Sequence, residues 1–96
     1  MSHELVIAPS ARQDITAADA YYSRFGKGDR FLDAVDAMFE RIAQLPFAFP
    51  VVYQDVRRAL LRRFPFCVFF VVESDRAIVL AVHHHRRDPA TRPRRP

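Results

Sequence analysis

The apolar residues follow a helical period in the first half of the chain and form near-continuous runs in the second half. After a short apolar segment at residues 4–8, the segments 10–25 and 29–45 place apolar side chains at the spacing of amphipathic helices. The runs Phe66–Glu73 and Arg76–His84 are instead rich in β-branched and aromatic residues, which favour strands. The pattern therefore predicts a strand, two helices and then a group of strands.

Polar residues and glycines predict where the two helices begin and end. Ser10 is the predicted N-cap of the first helix, and Gln13 is placed to return a hydrogen bond to it. The segment 26–28 ends this helix, and Asp29 is the predicted cap of the second. Because the connection is so short, the helices must form an antiparallel hairpin, which needs a sheet to cover its apolar side.

The segment between the second helix and the final strands contains Pro46 and Pro50 and is predicted to be a connector. A strand is expected at residues 56–61, and Ser74-Asp75 is the predicted turn of a final β-hairpin. The sequence therefore predicts an α+β fold: an N-terminal strand, an antiparallel helical hairpin and a three-stranded antiparallel sheet. Because the last two strands are apolar throughout, we expect both of their faces to be covered, or one face to bind a partner or a second copy.

Length and composition limit the chain to one small domain. Its 96 residues, 50% of them hydrophobic, suffice for a single two-layer core. We expect one domain at residues 1–90 and a flexible basic tail at residues 91–96. The lone Cys67 cannot form an intrachain disulfide and no secretory signal pattern is present, which indicates a cytoplasmic protein. No apolar run reaches the roughly 18 residues of a membrane span, so no membrane partner is predicted.

Positive charge is concentrated in the C-terminal part. Residues 57–96 hold ten arginines against three acidic residues, whereas residues 1–56 hold five basic residues against eight acidic ones. Arginine binds carboxylate and phosphate groups through two parallel hydrogen bonds, so this part suits an anionic partner or a nucleic acid. Solvated surface arginines are the alternative interpretation. The arginines predicted to bind a partner or nucleic acid are Arg57, Arg58, Arg62, Arg63, Arg86 and Arg87.

The run His83-His84-His85, followed by Arg86, is the candidate for catalysis. On an extended strand His83 and His85 share a face, where either could act as general acid or base while arginines bind phosphate. The alternative is that these histidines are exposed at a strand end, or that one of them is structural. His83, His85 and Cys67 are suitable zinc ligands by type, but the chain has no second cysteine and no helical His-x-x-x-His pair. We predict no metal site and no cofactor.

Four features of the C-terminal part carry a family resemblance. The strand predicted at residues 56–61 bears arginines, and Arg63-Phe64-Pro65-Phe66 leads into the first long apolar strand. Glu73-Ser74-Asp75 turns the hairpin, and His-His-Arg-Arg-Asp-Pro occupies residues 84–89. With the preceding helical hairpin, this ordered set resembles the ParE branch of the RelE/ParE toxins of bacterial type II toxin-antitoxin systems, a superfamily associated with plasmid stabilisation. The resemblance covers essentially the whole chain. It implies a cytosolic toxin that a cognate antitoxin neutralises in a heterocomplex.

The resemblance also bears on mechanism. RelE-like members cleave mRNA in the ribosome and have a basic residue early in the strand after the bend, another near the end of the last strand, and often a terminal Tyr or His. Here Phe66 or Cys67 occupies the first of these positions, and no Tyr follows Pro89. The resemblance therefore favours a ParE-like toxin that inhibits DNA gyrase through protein contact rather than through catalysis of its own. Two alternatives stay open: a ribosome-dependent mRNA endoribonuclease using His83, His84, His85 and the arginines, and a non-toxic peptide-binding module.

Overall fold

The computed structural model describes residues 2–86 and Pro93, and within them it contains two long helices and one five-stranded sheet. This confirms the predicted α+β class. The predicted tail lies outside the described residues except for Pro93, and so does Arg87. The elements are β1 (Glu4–Ile7), α1 (Pro9–Ser23), α2 (Gly28–Gln44), a 3-10 helix (Pro46–Ala48), β2 (Val51–Tyr53), β3 (Val56–Leu60), β4 (Phe66–Glu73) and β5 (Arg76–His84).

The sheet has five strands rather than three, in the order β1-β5-β4-β3-β2. The N-terminal strand is not separate: β1 pairs with β5 in parallel, from Glu4 opposite Arg76 to Ile7 opposite Val79. At the other edge, β2 pairs antiparallel with β3 inside the segment predicted to be a connector. The presence of Pro50 favoured a connector over a strand in this segment. A proline is nevertheless tolerated next to the start of an edge strand, because no ladder hydrogen bond is lost.

Both helices begin earlier than their polar residues predicted. The first helical residue of α1 is Pro9, and Ala8 takes the N-cap position without a side-chain cap. Proline suits this position because its missing N–H would be unpaired there in any helix. Asp29 is not the cap of α2 either, since Lys27 holds that position and Asp29 lies within the first turn. Its carboxylate still lies near the positive end of the helix dipole.

Ser10, the predicted cap of α1, instead helps to close the edge of β5. Backbone pairing with the N-terminal strand stops where Ala8 N donates to Val79 O at 2.9 Å. Beyond that point the Ser10 hydroxyl donates to Leu80 O at 2.8 Å, and Asp14 Oδ2 accepts from Val82 N at 3.0 Å. Side chains of α1 thus take the place of a strand along β5, which protects this part of the edge from pairing with another chain.

The two faces of the sheet each carry a buried apolar cluster. Between the helices and the sheet, Phe31, Ile42 and Phe70 are completely buried. Alternate strand residues point the other way, where they form a cluster on what we call the second face. Side chains on both sides of the last strands are therefore buried. The second face consists of Val56, Val71 and Leu80 with Tyr53, Phe69 and Ile78.

Neither helix within residues 2–86 combines the length and apolarity that crossing a bilayer requires.

Candidate functional site

A groove runs along α2, between its exposed side and the β3–β4 connection. Its larger part has a volume of about 740 Å³ and its smaller part about 380 Å³. Ala34, Ala37 and Arg62 line both parts, so these form one continuous depression, called here the α2 groove. Because the alanine side chains are small, a helix or an extended segment of a partner can approach the α2 backbone closely.

The rim of the α2 groove is strongly basic. Five cations surround it, and Asp33 is the single acidic residue among its lining. All five cations are exposed, and within the described part of the chain none of them forms an ion pair. Their combined field attracts an anionic partner. The cations are Lys27, Arg30, Arg41, Arg62 and Arg63.

The β3–β4 connection forms the wall of the groove opposite α2. Leu61 N donates to Phe66 O at 3.0 Å, and Phe66 N donates to Phe64 O at 2.8 Å, so local hydrogen bonds fix the bend. Arg63 has a φ of 70°, in the left-handed region that few residues other than glycine adopt. Such a conformation costs about 1–3 kcal/mol and persists where the surroundings enforce it. The connection therefore presents Arg62 and Arg63 in a defined arrangement.

An aromatic cluster anchors this wall to the core. The ring of Phe64 lies 4.9 Å from that of Tyr22 and 5.4 Å from that of Phe31, measured between centroids. Phe66 contacts the same two rings at 6.1 and 5.4 Å. Burial raises the pKa of the Tyr22 hydroxyl, and the neighbouring Tyr21 adds to the increase. Tyr22 therefore stays protonated at neutral pH, where it can donate a hydrogen bond but cannot act as a base.

The end of β5 adjoins the same connection. His84 lies opposite Phe66 in the strand pairing, with the two rings 5.3 Å apart. His85 N donates to Pro65 O at 2.8 Å, and Arg86 N donates to His84 Nδ1 at 3.1 Å. These contacts bring three of the predicted site residues, His84, His85 and Arg86, beside one end of the α2 groove.

His83 is separated from the other two histidines. Its side chain is buried, with Nε2 3.7 Å from Asp14 Oδ2 and the ring 5.7 Å from that of Phe69. His85 lies in a turn beyond the end of β5, not on the extended strand that the shared-face prediction required. The structure thus places His83 in a packed environment, whereas His84 and His85 are exposed at the strand end.

The two arginines of β3 are placed differently from Arg62 and Arg63. Arg57 donates from Nη1 to Phe49 O at 2.7 Å, and its guanidinium lies 5.1 Å from the centroid of the Phe47 ring. Arg57 therefore fixes the segment that contains the 3-10 helix. Arg58 is exposed and pairs with Phe69 across the sheet, away from the helices. Neither residue lines the α2 groove, and their roles in partner binding stay predictions.

Among the described residues, the side chains considered as zinc ligands do not form a three-ligand site. Cys67 lies opposite His83 in the β4–β5 pairing, but its thiol is buried. Burial raises the pKa of the Cys67 thiol, and Arg58 opposes this increase, so the protonated form dominates at neutral pH. Across residues 2–86, no three His, Cys, Asp or Glu side chains are arranged to hold a metal ion.

Sequence reasoning missed the α2 side of the groove. Arg30, Ala34, Ala37 and Arg41 recur at helical spacing, and this stripe was a usable signal because it combines small residues with arginine at both ends. Taken alone it is also typical of an ordinary solvated helix face. The β3–β4 connection must fold against it before the stripe becomes the side of a groove.

Comparison with known proteins assigns the family. Residues 5–89 match the family model described as ParE toxin of type II toxin-antitoxin system, parDE. A solved structure described as the chromosomal ParDE TA system from P. aeruginosa has a TM-score of 0.73 at 19% identity, and the alignment covers 86% of this chain and 96% of that one. At such identity the likeness establishes the fold. No curated protein matches the chain. Because the family model spans most of the sequence, the chain belongs to the ParE toxin family of type II toxin-antitoxin systems.

Proposed function

We propose that this chain is an active cytoplasmic toxin that a cognate antitoxin neutralises in a heterocomplex and that inhibits DNA gyrase by protein contact. The observation that carries the proposal is the α2 groove, a depression with a basic rim and a shallow apolar floor. Its chemistry suits a peptide with acidic and small apolar side chains. The family assignment supports the same role.

The antitoxin is expected to lie in the α2 groove. The exposed Ala37 side chain gives it a shallow floor, and Met38 adds apolar surface. Cations on both walls, including Arg30 on α2 and Arg62 on the β3–β4 connection, complement acidic side chains of a partner segment. Apolar contacts on the floor provide affinity, while the charged rim steers association and fixes the register.

Inhibition of gyrase is favoured over RNA cleavage because His83 and His85 do not share the strand face on which a paired acid and base were expected. Cleavage through a 2′-hydroxyl needs a base and an acid on either side of one phosphate, together with cations. His83 is buried against Asp14, and the hydroxyl of Tyr22 holds its proton at neutral pH. The exposed arginines Arg62, Arg63 and Arg86 suit contact with an acidic protein surface or with the DNA held by gyrase. Arg87, outside the described residues, belongs to the same proposal.

The first test is induction of the full-length chain alone, with DNA supercoiling and mRNA integrity measured side by side. We expect growth arrest, relaxed plasmid DNA or gyrase-dependent DNA breaks, and intact transcripts. Transcripts cut within codons, with normal supercoiling, would establish the endoribonuclease instead. Normal growth with soluble protein present would indicate the non-toxic binding module.

A second test addresses the antitoxin and uses the adjoining gene product. The purified chain should form a stable complex with a small acidic protein encoded beside it. Ala37→Trp fills the groove and should weaken that complex, whereas Ala20→Trp, on the exposed side of α1, should not. Equal affinity of the two variants would place the antitoxin elsewhere.

A further inference from the structure

Two aromatic rings at the tip of the helical hairpin are exposed to solvent. Tyr21, in the last turn of α1, and Phe25, in the α1–α2 connection, expose 54% and 58% of their surface. Their rings lie 5.3 Å apart, so they form one patch, called here the hairpin tip patch. Contiguous aromatic surface with a charged rim is typical of sites that contact a partner.

Backbone hydrogen bonds hold Phe25 in a defined position. Gly26 N donates to Ser23 O at 3.1 Å, and the φ of Gly26 is 69°. Lys27 N donates to Tyr22 O at 2.9 Å. These two bonds and a left-handed glycine make up the Schellman motif that ends many helices. The motif therefore fixes the direction in which the chain carries Phe25 away from α1.

The core supports the hairpin tip patch from below. The ring of Tyr21 lies 5.2 Å from that of Tyr22, in an edge-on contact. The ring of Tyr22 in turn stacks on that of the completely buried Phe31, with the centroids 5.2 Å apart. The exposed rings thus continue a chain of aromatic contacts that begins in the core. Because side chains held in this way lose little further conformational freedom on binding, the patch is preorganised for contact.

Positive charge around the patch indicates the kind of surface that it meets. In the segment 20–30 the three cations Arg24, Lys27 and Arg30 are exposed, and Asp29 is the one acidic residue. Within residues 2–86 none of these cations forms an ion pair. Two tips placed against each other would bring like charges together, which disfavours pairing with a second copy. An acidic surface is complementary to the tip.

The hairpin tip patch lies beside the α2 groove without being part of it. Tyr22 and Lys27 line the groove, whereas Tyr21, Arg24 and Phe25 do not. A partner segment confined to the groove therefore makes no use of these three exposed side chains. They are available to a different partner.

We propose that the hairpin tip patch contacts the protein target of the toxin, with Tyr21 and Phe25 packed on an apolar site of an acidic surface and Arg24 paired with its carboxylates. This inference rests on the proposed function, in which the target is DNA gyrase. It assigns target and antitoxin to adjacent surfaces, so an antitoxin in the groove stands in the way of a target at the tip.

Binding of the full-length chain to purified DNA gyrase, measured together with inhibition of supercoiling, tests the proposal. The Tyr21→Ala, Phe25→Ala double variant should bind and inhibit gyrase at least about tenfold less well, because central aromatic side chains carry much of the binding energy of an interface. Phe47→Ala is the matched control, at a phenylalanine of the 3-10 helix that is 64% exposed, and should behave like the native chain. Urea denaturation should show that both variants remain folded, and their affinity for the antitoxin should be unchanged.

A charge reversal tests the choice of an acidic partner surface. Arg24→Glu should weaken binding to gyrase, most strongly at low salt, because it places like charges in contact. Arg12→Glu reverses an exposed arginine near the start of α1 and should have no such effect. Equal effects of the two reversals would contradict a local contact at the tip.

Failure of this inference and failure of the proposed function give different results. A native chain that does not bind gyrase would refute the proposed function and this contact with it. Native binding that the double variant retains in full would refute the tip contact alone. Loss of antitoxin affinity in the double variant, with gyrase binding intact, would assign the patch to the antitoxin instead. A native dimer that the double substitution converts to a monomer would assign it to self-association.

Discussion

The two faces of the sheet are closed in different ways. On one face, two helices bury a continuous aromatic and aliphatic core, and the outer side of α2 becomes one wall of the basic groove. On the second face, a smaller cluster around Val71 is buried without a helix, and the described contact nearest to the C-terminus is Tyr53 with Pro93. The helix-covered face therefore holds the larger buried core, and its outer side carries the proposed partner site.

On the helix-covered side, the residues that form the core differ from those proposed to meet a partner. Phe31 and Phe64 belong to the core and also support the groove wall. Arg62 and Arg63, on the same wall, are exposed and carry no ion pair within residues 2–86. Substitutions in the core and on the groove rim should consequently affect stability and partner binding in different proportions.

The largest effect is expected from Phe31→Ala. Phe31 is completely buried and contacts Tyr22, Phe64 and Phe66, so truncation should lower the free energy of unfolding by about 3–5 kcal/mol. Urea denaturation measures this loss. Phe25→Ala, at a phenylalanine that is 58% exposed, is the matched control and should cost little. Similar losses in both variants would contradict the assignment of the core to this face.

Filling the α2 groove should have the next largest effect, and on binding alone. Ala37→Trp is expected to reduce affinity for an acidic antitoxin by about 10–100-fold, or about 1.4–2.7 kcal/mol, because the added ring occupies the floor. Calorimetric titration provides the affinity, and urea denaturation should give an unchanged free energy of unfolding. A variant with native affinity would move the partner away from this groove.

The arginines of β3 and of the β3–β4 connection should separate stability from binding. Arg57→Ala removes the hydrogen bond to Phe49 O and should cost about 1–3 kcal/mol of stability. The pair Arg62→Ala and Arg63→Ala should leave stability within about 0.5 kcal/mol. The double variant should instead weaken antitoxin binding and flatten its salt dependence, because exposed cations act over a distance that salt screens. The reverse pattern would refute the division of roles.

The smallest predicted effect is a pH dependence on the second face. Burial raises the pKa of the Cys67 thiol in the folded state above its ordinary value of 9.0. The folded state therefore holds this proton more tightly than the unfolded state, so the contribution is present below pH 9 and is lost as pH rises through the folded pKa. The stability difference between the native chain and Cys67→Ala should change in that direction as the pH is raised above 9. A difference independent of pH would show that the thiol is accessible.

Periodicity was sufficient for the elements with strong local patterns, such as α2 and the hairpin that turns at Ser74-Asp75. Periodicity did not predict β2, because this edge strand is short, follows Pro50 and forms only by pairing with Val56–Leu60. Ser10 has the chemistry of a cap, yet its hydroxyl pairs with Leu80 O, a partner 70 positions away. Such long-range contacts are invisible to local patterns.

The candidate site was predictable only where its residues are adjacent in sequence. Arg62, Arg63 and the His84-His85-Arg86 run were identified from composition and resemblance, and the structure places them around one end of the sheet. Arg30 and Arg41 were not predicted as site residues, because they line a groove only when the β3–β4 connection packs opposite them. β5 ends at His84, so His85 lies outside the strand and apart from His83. The alternation of side chains along a strand does not show where that strand ends.

Supercoiling of relaxed plasmid by purified DNA gyrase, with increasing amounts of the full-length chain, tests the central claim most directly. We predict inhibition near stoichiometric amounts, reversal by the antitoxin, and a weaker effect of the Arg62→Ala, Arg63→Ala double variant. Complete supercoiling at a large excess of folded protein would contradict inhibition of gyrase, and cleavage of mRNA by the same preparation in a translation extract would establish the alternative.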